Sequence, residues 1–358
     1  MKQKLTQHKK ALIVALCLLL TIGALACLWQ GRRLSRSLSS QQAAERWRGE
    51  SEMDYAQISC FVPVDEAISE NQIFAFRAAL HEELGKAAIE SEGLWRDAWS
   101  GTGKIFVSGQ KWRGDAAVIA VGGDFFLFHP LRLLSGSYLR EDDLMKDRVV
   151  LDENLAWQLF GGTDLTGMEI RLNDKPFVIA GVVEREKDRA SRMAYTAGAG
   201  LYMSSESYAA LTEEENFITC YELVSPEPVK DFNQRVAKDR FPIGRGEVLV
   251  NSGRFSFARL LGLLRHMDER SMQGMGMIYP YWENAARVTE NRAARLQFSA
   301  MLLALLPLIT LLIRLIGLLK KGKERLAEEL WPRTKEAVSE AIRRPQRRRW
   351  EKKYGKHS

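Results

Sequence analysis

The chain has 358 residues, of which 46% are hydrophobic, 27% charged and 9% aromatic. That balance excludes a wholly disordered chain and a collagen-like fibre, and four cysteines are too few for a disulfide-dense scaffold. The net charge of +7 is unevenly spread: residues 320–358 hold 14 Lys/Arg against 6 Asp/Glu, and residues 1–10 hold four lysines and no acid. Residues 11–319 are therefore mildly acidic. A nucleic-acid-binding domain would carry its basic patch on the folded body, so none is expected.

In chain order, residues 1–10 read as a cytoplasmic N-terminus. Residues 11–29, ALIVALCLLLTIGALACLW, carry no charge over 19 positions and span roughly 28 Å as a helix, close to the hydrocarbon core of a bilayer. A cleaved signal peptide is the alternative, with Ala24-Leu25-Ala26 as an A-x-A site. The run exceeds an ordinary signal h-region of about 7–15 residues, which favours a retained membrane helix. Residues 30–53 form a linker. Residues 299–319 are the second apolar block, interrupted by Pro307 and by Arg314 near its end, where a long basic side chain snorkels to the interface. Lys2, Lys4, Lys9 and Lys10 before the first block and Lys320, Lys321, Lys323 and Arg325 after the second place both termini in the cytoplasm. Arg32, Arg33 and Arg36 on the other side run against that rule.

The region between the blocks reads as α+β. Residues 57–62 alternate like a strand, and residues 71–90 carry Ile73, Phe74, Phe76, Leu80, Leu84, Ala87 and Ala88 at helical spacing. Ser100-Gly101-Thr102-Gly103 reads as a turn before strands at 104–108 and 116–121. A strand at 148–152 leads into a short helix at 153–160. Strands at 168–172 and 177–183 flank Asn173-Asp174-Lys175-Pro176, a hairpin signal. Residues 185–200 read as a mobile polar loop. A strand at 201–203 follows, then a β-α-β run at 220–224, 229–241 and 247–250.

The ordered set Phe125-Phe126, Leu133-Leu134-Ser135-Gly136, RVVLDENLAWQLFGG at 148–162 and GMEIRLNDKPFVIAGVV at 167–183 resembles the periplasmic core domain of MacB-type exporters and related FtsX-like permeases, over residues 54–250. The resemblance implies a two-lobed extracytoplasmic domain held by two transmembrane helices. A porter-like βαβ lobe is built from the first and last parts, with a mainly β lobe inserted. Such permeases have one helix before the domain and three after it, whereas one apolar run follows here. A separate ABC ATPase, and a full permease, are the partners this implies, with the chain in a homo- or hetero-oligomer at the membrane. A stand-alone membrane-anchored binding or scaffold protein is the other reading. The resemblance also places Cys60 and Cys220 in one lobe, where they form a disulfide if the compartment oxidises, and otherwise remain free and buried.

Chemistry is sparse. Ser100 to Lys104 lacks the first glycine and the closing Ser/Thr of a phosphate loop, with Ala98 and Ile105 in those positions. His8, His81, His129, His266 and His357 are scattered without metal-ligand spacing. No catalytic, cofactor-binding or metal residue is expected, and the chain reads as a non-enzyme. Residues 251–298 form a stalk or juxtamembrane segment with apolar Met267, Met272, Met275 and Met277. In it, Tyr281-Trp282-Glu283-Asn284 opens a helix and serves either as a coupling interface or as ordinary packing against the domain. Residues 320–358 form a basic cytoplasmic tail. Its dense run of Arg343, Arg344, Arg347, Arg348, Arg349 and Trp350 fits the membrane surface, with an ATPase contact or a plain solvated tail as rivals.

Overall fold

The computed structural model describes residues 2–354 apart from 88, 90–92, 196, 197, 199, 267–272 and 275. At 2–7, 9, 10, 273, 274, 326–333, 346–349 and 351–354 it describes the backbone alone. Ala88, Met267, Met272 and Met275 of the sequence reading therefore lie outside the described residues. So do the side chains of Arg347, Arg348 and Arg349. Two compact units emerge: Met1–Leu28 with Phe298–Ser358, and Trp29–Gln297.

The first unit is built from two helices. α1 (Lys2–Arg36) contains the first apolar run, and the last helix (Tyr281–Tyr354) contains the second and stays helical through Pro307, Pro332 and Pro345. At each proline the turns on either side hold the backbone where one hydrogen bond is lost. Small residues let the two apolar runs approach. Cys17 Sγ lies 3.4 Å from Thr310 Oγ1, and a methyl at Gly23 would touch Leu303. Large apolar side chains such as Leu19 and Leu311 stay exposed.

The second unit holds ten strands in one sheet: β1 (Tyr55–Phe61), β2 (Arg96–Ser108), β3 (Arg113–Gly123), β4 (Leu133–Gly136), β5 (Arg148–Asp152), β6 (Glu169–Leu172), β7 (Lys175–Val183), β8 (Gly200–Ser204), β9 (Cys220–Pro226) and β10 (Glu247–Val250). Their order is β10-β1-β9-β2-β3-β8-β5-β7-β4, with β6 bridging β2 and β7. Between them run α2 (Ala43–Arg48), α3 (Glu70–Lys86), α4 (Phe125–Phe128), α5 (Glu153–Leu159), α6 (Arg189–Ala194), α7 (Ser205–Thr212), α8 (Phe232–Arg240) and α9 (Phe257–Leu263); the long helix from Tyr281 is α10.

β1 and β10 are antiparallel, as are β1 and β9, and β9 and β2. Hence β1-α3-β2 and β9-α8-β10 are parallel β-α-β units, each receiving a strand of the other between its own pair. That is the split βαβ pattern. Strands β3 to β8, from the middle of the chain, extend the same sheet through the long β2–β3 hairpin.

Side chains alternate between the faces of the sheet. Ile58, Cys60, Tyr221, Leu223, Val149 and Leu151 pack beneath α3, α5 and α8 in one core. Phe61, Cys220, Val224 and Val150 face a second core of Phe125, Phe126, Phe128 and Trp282.

Three sequence expectations change. Ser100 to Gly103 is not a turn but lies inside β2. A side chain at Gly101 would run into the backbone of Phe217, and one at Gly103 into the Tyr208 ring, so these glycines admit neighbours rather than reverse the chain. Residues 185–200 are not a plain loop: they contain α6, capped by Asp188, whose carboxylate accepts from the Ala190 and Ser191 amides at 2.9 and 3.1 Å. Finally, Cys60 and Cys220 are both free and buried. Cys60 lies opposite Tyr221, and Cys220 opposite Phe61. One position out of register, the two thiols leave opposite faces of the sheet, and the expected disulfide does not form.

Candidate functional site

Polar residues sit where strands β1 and β9 should be apolar. On the face covered by α2, α4 and the start of α10, Ser59 and Glu222 are register partners, and both are buried. A buried carboxylate needs a partner. Glu222 Oε2 lies 2.5 Å from His129 Nε2, and Oε1 lies 3.4 Å from Ser59 Oγ. The Ser59 hydroxyl is also 3.1 Å from Asn251 Oδ1; its single proton serves one acceptor at a time. Asn251 Nδ2 donates to Gln41 Oε1 at 2.9 Å, and Arg254 Nη1 donates to the same oxygen at 3.0 Å.

Arg254 ends this chain of contacts in a closed ion cluster. Its Nη1 and Nη2 grip both Glu283 oxygens at 2.7 Å. Its Nε and Nη2 reach the Glu290 oxygens at 2.8 and 3.0 Å. Arg287 Nε binds Glu283 at 2.8 Å, and its Nη2 binds Glu247 at 3.1 Å. Glu247 in turn accepts from the Tyr279 hydroxyl at 2.8 Å. Burial opposes the charge on Arg254, yet the facing carboxylates Glu283 and Glu290 outweigh it and hold the guanidinium above its ordinary pKa. Two guanidinium groups against two buried carboxylates leave the centre of the cluster neutral. Such fork-to-fork pairs fix orientation as well as charge.

Aromatic rings clamp the same helical turns. Trp282, 2% exposed, sits on the His129 ring at 4.3 Å between centroids and meets Phe125 edge-on at 5.6 Å. Tyr281 stacks on Tyr195 at 4.1 Å. Arg185 lies over the other partner of that stack, its guanidinium carbon 4.1 Å from the Tyr195 ring centre. Ala190 and Ala194 of α6 pack with Leu38, Ala285 and Ala286. Asn284 Nδ2 donates to the Tyr279 carbonyl at 3.0 Å.

All four residues at 281–284 thus meet at one place: Trp282 and Tyr281 in the aromatic clamp, Glu283 at the centre of the ion cluster, and Asn284 closing the turn. Arg343 and Arg344 are exposed on α10, with Arg344 3.7 Å from Glu340, and Trp350 is exposed further along. Sequence reading missed His129, Glu222, Gln41, Asn251 and Arg254. A signal was present: Gln57, Ser59 and Glu222 occupy strand positions whose neighbours on the same face, Phe61, Cys220 and Val224, are buried apolar groups. The arrangement holds no nucleophile poised by a base and is suited to holding elements together.

The MacB-like periplasmic core domain matches residues 55–246, more than half of the chain. This chain belongs to that family. The matched region is a non-catalytic domain, of which the family's ATPase is not a part. A stretch of 77 residues is 38% identical to the macrolide export ATP-binding/permease protein MacB of Chromobacterium violaceum, covering 21% of this chain and 12% of that protein. The chain therefore matches about an eighth of the length of that relative. Among solved structures, the periplasmic region of MacB from Actinobacillus actinomycetemcomitans is 14% identical over 61% of this chain and 94% of its own, with a TM-score of 0.42. The extracellular domain of the noncanonic ABC-type transporter YknZ from Gram-positive bacteria is 13% identical over 55% of this chain and 99% of its own, with a TM-score of 0.39. A MacB-like core domain bracketed by two long apolar helices is the layout of a membrane protein.

Proposed function

We propose that this chain is a non-catalytic membrane component of an ABC-type export or envelope system of the MacB/FtsX-like kind. It crosses the membrane twice at residues 11–29 and 299–319, with both termini in the cytoplasm and the core domain outside. ATP is hydrolysed by a separate subunit. Within the domain, β10-β1-β9-β2 with α3 and α8 make the porter-like lobe, and β3 to β8 make the inserted β lobe. The observation that carries the reading is the family-matched core at residues 55–246 with a long apolar helix on either side of it in the chain. Beyond the matched residues, the ion cluster of Arg254, Glu283 and Glu290 holds the first turns of α10 within the domain's own compact unit.

The test is affinity purification of the tagged full chain from its own membranes after mild cross-linking, with topology read in parallel. An ABC ATPase subunit in the purified complex is the expected result. Leu144→Cys, at a side chain 99% exposed, is expected to label in intact cells, and Ser339→Cys only after lysis. Recovery of the chain free of any ATPase would overturn the transport reading, and the reverse labelling pattern would overturn the topology.

A further inference from the structure

Several arginines of the domain body find carboxylates: Arg77 with Asp97 and Glu141, Arg96 with Asp124, Arg240 with Glu83, and Arg245 with Asp65 and Glu66. Five others, close to the ends of the apolar runs, do not; Arg113, Arg192 and Arg235 on the domain body also pair with no carboxylate among the described residues, so it is their place beside the apolar runs that sets the five apart. Arg32, Arg33 and Arg36 follow the first run, and Arg292 and Arg295 precede the second. Arg32, Arg33, Arg36 and Arg295 are exposed and Arg292 is half-buried. None of the five pairs with a carboxylate among the described residues. At 1.5 Å of rise per residue, Arg32 and Arg36 lie roughly 5–10 Å beyond Trp29, and Arg295 and Arg292 the same distance before Ser299. The polar headgroup layer on each side of a bilayer is about 5–7 Å deep, so Arg32 and Arg295 fall within it and the long side chains of Arg36 and Arg292 reach it from its outer edge. Arg33 lies over the Trp29 ring at 5.5 Å, the arrangement of an interfacial tryptophan with a basic neighbour.

Beside Arg36 opens a cleft of about 450 Å³ lined by Ser35, Arg36, Gln42, Arg48, Ser252 and Ser256. Glu45 is the one carboxylate on its wall; of the guanidinium groups there, Arg254 is held by Glu283 and Glu290 and Arg48 by Asp54 at 3.1 Å, which leaves Arg36 without a carboxylate among the described residues. Hydroxyl and amide donors beside a guanidinium without a protein carboxylate suit a phosphodiester that carries polar glycerol or sugar hydroxyls.

We infer that the five arginines and this cleft form a binding site for the headgroup of an anionic phospholipid on the domain side of the membrane. This explains why Arg32, Arg33 and Arg36 depart from the usual inside bias: their charge is matched by lipid rather than by protein. The inference rests on the two-pass reading above. Its test is indifferent to which side the domain faces, so the two can fail separately.

The experiment uses the full chain with Arg343, Arg344, Arg347, Arg348 and Arg349 changed to Gln, which silences the tail. It is purified in micelles doped equally with phosphatidylglycerol and phosphatidylcholine, and retained lipid is counted by mass spectrometry as salt is raised. Phosphatidylglycerol is expected in excess at low salt, with the excess shrinking as screening grows. Adding Arg32→Gln, Arg33→Gln and Arg36→Gln is expected to cut that excess about tenfold or more. A control that removes the same charge from the domain body, Arg113→Gln, Arg192→Gln and Arg235→Gln, is expected to leave it unchanged. Equal retention of the two lipids, or an equal loss in the control, overturns the site.

Discussion

Arg254 holds two carboxylates, Glu283 and Glu290, in a place water does not reach. Glu283 is 1% exposed and Glu290 7% exposed. Removing the cation leaves Glu283 with Arg287 alone and strips Glu290 of both its bonds to Arg254. Breaking a buried pair from one side costs about 3–5 kcal/mol, much more than an intact pair contributes over an apolar substitute. Arg254→Met in the detergent-purified chain is therefore expected to unfold at markedly lower urea, with Trp282 exposed early in the transition. Glu290→Gln, which leaves the Glu283 fork intact, is expected to cost less than half as much. A loss under about 1 kcal/mol for Arg254→Met would show that the cluster relaxes around the vacancy and that the first turns of α10 are held by the rings instead.

At the scale of elements, much of the architecture was legible in the sequence because periodicity reports which face is buried. The strands at 57–62, 148–152 and 220–224, the helix expected at 71–90 and found as Glu70–Lys86, and the Asn173-Asp174 hairpin all follow from it, and both turn residues take positive φ as the turn demands. Partners across the sheet are not written in local pattern. Glu222 meets His129 only because β9 pairs with β1 and α4 folds over that face. Cys60 and Cys220 are joined or kept apart by a register shift of one residue. The segment after β7 misled for a similar reason: its polar composition hid Ala190 and Ala194, which dock it.

That segment is pinned at its base by Glu184, which accepts from Arg132 and Lys187. Their hydrogen bonds, Arg132 first, hold the carboxyl down to about 2. A depressed carboxylate contributes stability that is fully present above its unfolded value of about 4.3 and is lost as pH falls toward the folded value. Cleavage within residues 185–195 by an acid-tolerant protease is expected to rise between about pH 4.3 and 2 in the parent chain. In Glu184→Gln it is expected to be higher at neutral pH and flatter across that window. Salt is expected to narrow the gap, since the groups are close to solvent. Identical pH profiles for the two chains would assign the pinning to α6 packing alone.

For the whole molecule, charge is segregated along the chain: a mildly acidic middle and a tail with 14 Lys/Arg against 6 Asp/Glu. α10 carries the helix to Tyr354, with Val338, Ile342 and Trp350 left uncovered. At 100° per residue these three fall within about a third of the helix circumference. An apolar strip beside a dense basic run is the composition of a segment that lies on an anionic surface, each basic group near it adding about 1 kcal/mol of attraction. Trp350 supplies the ring that settles at the interface. A synthetic peptide of residues 320–358 is expected to bind vesicles containing phosphatidylglycerol, to blue-shift its tryptophan emission on binding, and to release as salt rises. The same peptide with Arg343, Arg344, Arg347, Arg348 and Arg349 changed to Gln is expected to lose most of that binding. Equal binding to neutral vesicles would assign the contact to the apolar strip. No binding to either would leave the proposed ATPase subunit as the occupant to test, by cross-linking from Ile342→Cys in the tagged full chain.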